Sequence, residues 1–108
     1  MPLIPAPRLI DPAAVLALRW GVIGTGIADQ FVHAIHAHTV QRAVAVTARD
    51  AAKTRAFAER HGIARVHPTV EALVADPEVD VVYVATPHPL HREQALAAIA
   101  AGKHVLIE

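Results

Sequence analysis

The run Leu18-Arg19-Trp20-Gly21-Val22-Ile23-Gly24-Thr25-Gly26-Ile27-Ala28-Asp29 constrains this chain more than any other stretch. Arg19 to Ile23 is short and apolar and stops at a glycine, the pattern of a buried strand. A helix is predicted from near Gly26 to about His38. Ile27, Phe31 and Ile35 recur there at i, i+4 and i+8, with Ala28 and Val32 beside them, so one stripe can face a sheet. A strand that feeds directly into a helix cannot return as a hairpin. Its next strand lies parallel, joined by a right-handed crossover.

The same unit then repeats. Ala43 to Thr47 is a near-continuous apolar run suited to a sheet covered on both faces. Asp50 is placed to cap a helix from Ala51 to Arg60, with Phe57 as its main core residue and Gly62 just past its end. A short strand is expected around Ala64 to His67. Thr69 then caps a short helix from Val70 to about Ala75, which Asp76-Pro77 ends. Val81 to Ala85 is the most apolar strand. A helix follows from about Leu90 to Ala101, with Gly102 after it, and a fifth strand runs from His104 to Ile107. Five strands separated by four helices predict an α/β fold, a doubly wound parallel sheet in the order 3-2-1-4-5. Ligands then bind at the carboxyl ends of strands one and four, where the order reverses.

Composition narrows the classes. Ten basic and ten acidic residues cancel, which gives no reason to expect a nucleic-acid partner. With no cysteine, disulfide frameworks, thiolate metal sites and cysteine nucleophiles are excluded, and a cytoplasmic setting is expected. No apolar run approaches the ~18 residues of a membrane span. Pro2, Pro5, Pro7 and Pro12 mark an extended N-terminal arm over 1–17 rather than a signal peptide, although Leu3, Ile4, Leu9 and Ile10 have packing potential. Ala13 to Leu18 reads as a helical turn or a simple lead-in. The domain proper is 18–108.

The turn itself carries chemistry. Gly24 permits the tight turn, and Gly26 removes a side chain so that backbone can approach a pyrophosphate at the helix N-terminus. The alternative is a turn that needs glycine only for its backbone angles. The third position of the G-x-G-x-x-G fingerprint is Asp29, so the pattern is incomplete. After strand two, where an acid would hold a ribose 2′-hydroxyl, the sequence reads Thr47-Ala48-Arg49-Asp50. Arg49 suits a 2′-phosphate, hence NADP with NAD as the alternative, or it is an exposed arginine beside a capping Asp50. The rigid turn Thr86-Pro87-His88-Pro89 is placed to pack against a nicotinamide. His88 and His91 lack an evident third partner for a metal. His33, His36 and His38 read as surface histidines near a helix C-terminus, where positive charge is favoured. No metal site is assigned.

Four segments together resemble the glucose–fructose oxidoreductase/inositol dehydrogenase (Gfo/Idh/MocA) family. They are Arg19 to Ala28, Thr47-Ala48-Arg49-Asp50, Ala85-Thr86-Pro87-His88-Pro89-Leu90-His91, and Gly102 to Glu108, which leads into that family's Glu-Lys-Pro motif. The Ala-Thr-Pro-His form looks most like the dihydrodiol and xylose dehydrogenase branch. The resemblance implies a Rossmann-like NAD(P)-binding domain, partial at its C-terminal side. It implies hydride transfer between NADP and a sugar-, cyclitol- or dihydrodiol-like alcohol or carbonyl. By the same resemblance, Gly24, Thr25, Gly26, Ile27 and Ala28 surround the pyrophosphate and Arg49 meets the 2′-phosphate. Thr86, Pro87, His88 and His91 line the nicotinamide side, and Glu108 contacts the cofactor region. One residue fewer than usual separates Gly26 from the Ile-Ala pair.

The motif's lysine, the family's usual proton-transfer group, would follow Glu108. No catalytic residue is therefore assigned within the chain, which is expected to be a truncated N-terminal portion without its substrate domain. A stand-alone nucleotide-binding or regulatory module without catalysis is the alternative, and a truncated chain that binds nothing well is a third reading. Exposed sheet edge and apolar surface predict self-association, with a homo-oligomer as the expected state.

Overall fold

A computed structural model describes residues 17–108, so the proline-rich arm and most of the lead-in lie outside the described residues. The elements follow the order β1 (Arg19–Ile23), α1 (Ala28–His38), β2 (Arg42–Thr47), α2 (Ala51–His61), β3 (Arg65–Val66), α3 (Val70–Val74), β4 (Val81–Val84), α4 (His88–Ala100) and β5 (His104–Ile107). The five strands form one sheet in the order β3-β2-β1-β4-β5. Every neighbouring pair is parallel. This is the doubly wound arrangement expected from the alternation of strand and helix.

The sheet is covered on both faces. On one, Trp20, Val22, Tyr83 and Val81 pack with Ala28, Val32 and Ile35 of α1 and Phe57 and Ala58 of α2. On the other, Ile23, Ala45, Val82 and Val84 pack with Leu73 and Val74 of α3 and Ala98 of α4. β4 is buried at all four positions, as its apolar run requires. Gly21 is small for a packing reason, since a Cβ there would lie 2.8 Å from Leu73 Cδ2 and 3.0 Å from Val79 Cγ1. Asp50 accepts from the Lys53 amide and Thr69 from the Ala72 amide, so both expected N-caps form. Gly62 takes the left-handed conformation that ends α2, with φ 68°.

Three expectations change. α1 begins at Ala28 rather than near Gly26, and Ile27 leaves the core stripe: it is 55% exposed, and Ala28, Val32 and Ile35 do the packing. Residues 25 to 27 stay out of the helix, and Ile27 lines the cleft. α4 begins at His88, two residues early, because Pro89 falls in the first turn, where its missing N–H costs no helix bond. His36 is not a charged surface histidine. Its Nε2 accepts from the Ala43 amide at 2.9 Å. Burial, helped by the nearby charges of Arg42, His61 and His33, holds the imidazole below its ordinary range.

Candidate functional site

The parallel sheet aligns all five strand ends, and bonds just beyond them hold the ends together. The Gly24 amide donates to Thr47 O at 2.9 Å, the Ala85 amide to Ile23 O at 2.9 Å, the His67 amide to Val46 O at 2.9 Å, and the Glu108 amide to Val84 O at 3.0 Å. Above this edge lies a cleft of about 1020 Å³, at the large end of small-ligand sites. It crosses the whole sheet. Pro68, Thr69 and Val70 follow β3; Arg49, Asp50 and Lys53 follow β2; Gly24, Thr25, Gly26 and Ile27 follow β1; Thr86, Pro87, His88, Leu90, His91 and Gln94 follow β4; Glu108 follows β5.

The two glycines have different jobs. Gly24 has φ 95°, and a Cβ there would sit 2.7 Å from Ala85 O, so this residue sets the turn and the approach of β1 to the β4 loop. Gly26 has no positive φ, and a Cβ there would meet nothing within 4 Å. Its small size leaves open cleft, not fold, in front of the α1 N-terminus. No side chain caps that end of α1, which leaves its first backbone amides available to an acceptor from outside the chain. The open space and the uncapped helix suit a phosphate.

Asp29, the acid at the third fingerprint position, is absent from the cleft wall. It pairs with His61 Nε2 at 2.7 Å and Arg60 Nε at 3.1 Å on α2. The bond from His61 chiefly holds its carboxyl below the ordinary range; burial opposes this and the Arg60 charge assists.

At the β2 end the cleft is cationic, with exposed Arg49 and Lys53 on its wall. Asp50 stands beside them, but its Oδ1 is engaged by the Lys53 amide at 3.0 Å. At the β4 end, Thr86 is fixed from α4: its hydroxyl bonds Gln94 Oε1, and His91 Nε2–H donates to its carbonyl. The His88 and His91 rings lie 4.8 Å apart. Glu108 accepts from the Tyr83 hydroxyl. Among the described residues no group of three or more His, Cys, Asp or Glu is placed to hold a metal ion.

Gly24, Thr25, Gly26, Ile27, Arg49, Thr86, Pro87, His88, His91 and Glu108 all line this one cleft. Ala28 is fully buried beneath it. Lys53 and Gln94, which sequence did not single out, and Thr69, singled out only as a helix cap, also line it. A signal for Gln94 existed: Leu90, His91 and Gln94 fall at helical spacing on one face of α4, in line with Pro87 just before it. Lys53 lies one turn into α2 from its capping residue and carried no comparable mark.

Residues 18–108 match the Gfo/Idh/MocA family model, an oxidoreductase family with an NAD-binding Rossmann fold. The chain belongs to this family. A 1,5-anhydro-D-fructose reductase from Ensifer adhaerens is 47% identical over 91 residues, which are 83% of this chain and 27% of that protein. The human trans-1,2-dihydrobenzene-1,2-diol dehydrogenase is 38% identical over 96 residues, 86% of this chain and 29% of the enzyme. Among solved structures, a Synechocystis biliverdin reductase in complex with biliverdin and NADP+ matches with a TM-score of 0.77 and 35% identity, over 83% of this chain and 28% of that one. The chain thus spans less than a third of the relatives it matches, and the part it spans is a nicotinamide-dinucleotide-binding Rossmann domain. Among the described residues of this Gfo/Idh/MocA domain, no helix is long and apolar enough to cross a membrane.

Proposed function

We propose that this domain binds NADP(H) in the cleft across its strand ends, as the cofactor-binding portion of a cytoplasmic oxidoreductase acting on a sugar-, cyclitol- or dihydrodiol-like alcohol or carbonyl. The observation that carries the reading is the open space at Gly26 in front of an uncapped helix N-terminus. When bound, the cofactor supplies or accepts a hydride, chemistry that is its own rather than the protein's.

The chain's residues then bind and orient it. Thr25, Gly26 and Ile27, with Ala28 opening the helix, take the pyrophosphate by backbone amides. Arg49 meets the 2′-phosphate as a planar, permanently charged donor. Asp50, the nearest acid, supports this reading because its engaged carboxylate keeps its cap on α2. Pro87, His88 and His91 form a wall for the nicotinamide, and the bonds from His91 to the Thr86 carbonyl and from the Thr86 hydroxyl to Gln94 hold that wall in place. The NADP-bound biliverdin reductase and the sugar- and dihydrodiol-acting relatives support cofactor and substrate class alike. Self-association is part of the reading: Leu96 and Ile99 on α4, and Leu106 and Ile107 on the edge strand β5, are between 43% and 59% exposed.

Calorimetric titration of NADPH and NADH into the chain tests the proposal. Saturable binding with NADPH the tighter ligand is expected. No saturable binding of either at millimolar concentration overturns it, and tighter binding of NADH overturns the NADP assignment.

A further inference from the structure

We infer that Tyr83 is a positioning residue that holds the Glu108 carboxylate against the nicotinamide end of the cleft, and that the charge so fixed makes the domain prefer the oxidised, cationic dinucleotide to the reduced one. The inference rests on the cofactor reading above and adds a basis for discriminating its two redox forms.

Register places the pair. Tyr83 on β4 stands beside Leu106 on β5. Glu108 lies two residues beyond Leu106, and alternation along a strand returns it to the same face. Tyr83 is 3% exposed and belongs to the core on the α1 side. Its hydroxyl emerges from that core to donate to Glu108 Oε2, while Glu108 itself lines the cleft. The ring cannot swing away. It stacks on Phe31 of α1 with centroids 4.1 Å apart, and Phe31 meets Trp20 edge-on at 4.9 Å. An aromatic column thus runs from the start of β1, through the helix that follows the glycine turn, to the Glu108 carboxylate. Burial, with the bond to Glu108 and its charge adding, pushes the Tyr83 phenol up to about 12, so it remains a donor at every working pH.

Charge gives this geometry a consequence. Along the β4 and β5 part of the cleft the titratable side chains on the wall are His88, His91 and Glu108. Among the described residues Glu108 is the one acidic side chain there. The cleft's other acid, Asp50, lies at the β2 end and caps α2. The nicotinamide ring is a cation when oxidised and neutral when reduced. A fixed anion beside it stabilises only the first, and a held anion does so better than one free to turn into water.

Separate dissociation constants for NADP+ and NADPH, measured on the chain and on Tyr83→Phe, Glu108→Gln and the double variant, test this. Glu108→Gln is expected to weaken NADP+ about fivefold while leaving NADPH within about twofold. Tyr83→Phe, which keeps the ring and its stacking, is expected to move the ratio of the two constants in the same direction by about twofold, and the double variant no further than Glu108→Gln alone. The wild-type ratio should shrink as salt rises. Tyr83→Phe or Glu108→Gln weakening both cofactors equally, as a merely structural role would, overturns the inference. So does a ratio unchanged in Glu108→Gln, and in both cases the cofactor reading stands. Failure of the wild-type chain to bind either form overturns both.

Discussion

His61 Nε2–H donates to Asp29 Oδ1 at 2.7 Å, tying the first turn of α1 to the last turn of α2. An acid three residues after Gly26 would repel a pyrophosphate if it faced the cleft. Here it faces α2, where Arg60 reaches the same oxygen at 3.1 Å and the His61 side chain is only 8% exposed. Asp29 is therefore a clasp between helices, and the glycine turn is compatible with an anion in front of it.

The expected outcome is that Asp29→Asn leaves the NADPH dissociation constant within about twofold of wild type, because a half-exposed, paired charge contributes little at a distance. The same change should lower the melting temperature by loosening α1 from α2. Titration calorimetry and thermal unfolding on one sample separate the two effects. A large gain in NADPH affinity would show that the carboxylate does reach the phosphate.

The two glycines of the turn should separate fold from binding. Gly24→Ala puts a Cβ 2.7 Å from Ala85 O at φ 95°, and it should cost about 2 kcal/mol or more in denaturant unfolding. Gly26→Ala meets no atom within 4 Å. It should unfold within about 0.5 kcal/mol of wild type, as substitutions away from packed features do. Its methyl group instead projects into the open space proposed for the pyrophosphate, so NADPH affinity should fall at least about tenfold, or about 1.4 kcal/mol. Unimpaired binding by Gly26→Ala would remove the cradle from the proposed site.

Arg49, to which the proposed function gives the cofactor preference, and Lys53 stand on the same wall. Arg49→Asp should weaken NADPH about a hundredfold, replacing a charge-assisted phosphate contact by repulsion, and leave NADH within a fewfold. Parallel titrations of the two cofactors read the ratio directly. A variant that kept its NADPH preference would transfer the role to Lys53, and Lys53→Ala would then show the loss.

Much of this architecture was legible in the residues because each strand-helix unit carries its own punctuation. Asp50, Thr69 and Gly62 mark helix ends through local backbone geometry, which sequence reports well. The expected strand order is the common doubly wound one, and the sheet takes it. Positions decided by tertiary contact were not legible. Ile27 satisfies the helical period, yet it faces the cleft because the helix starts one residue later. His36 looks like a surface histidine until β2 brings the Ala43 amide to its ring. Tyr83 reads only as a core residue, and its bond to Glu108 depends on the register between β4 and β5. Lys53 reaches the cleft through the placement of a whole helix, which no local pattern reports.

Asp76 should dominate the acid limb of stability. Its side chain is 1% exposed, with Arg65 Nη1 at 3.0 Å and His67 Nε2 at 2.8 Å. The Glu78 amide donates to its Oδ1 at 2.8 Å, and Lys103 Nζ donates to its backbone carbonyl at 2.8 Å. Burial works against ionisation, but the bonds from Glu78, His67 and Arg65 outweigh it and hold the carboxyl below its ordinary range. Asp80, held by Arg19, is shifted the same way. The unfolded chain therefore binds protons more readily than the folded one in acid. This stabilisation is complete above the ordinary carboxyl range near ~4 and is lost as pH falls through the depressed folded values. Urea midpoints should hardly respond to these two acids above about pH 5 and fall steeply below about pH 4. Asp76→Asn, which cannot ionise, should cost about 3 kcal/mol at pH 7 and converge on wild type only once pH has fallen through the depressed folded value, where wild type loses the same charge. Parallel curves for the two proteins across that range would show that Asp76 does not set the acid transition.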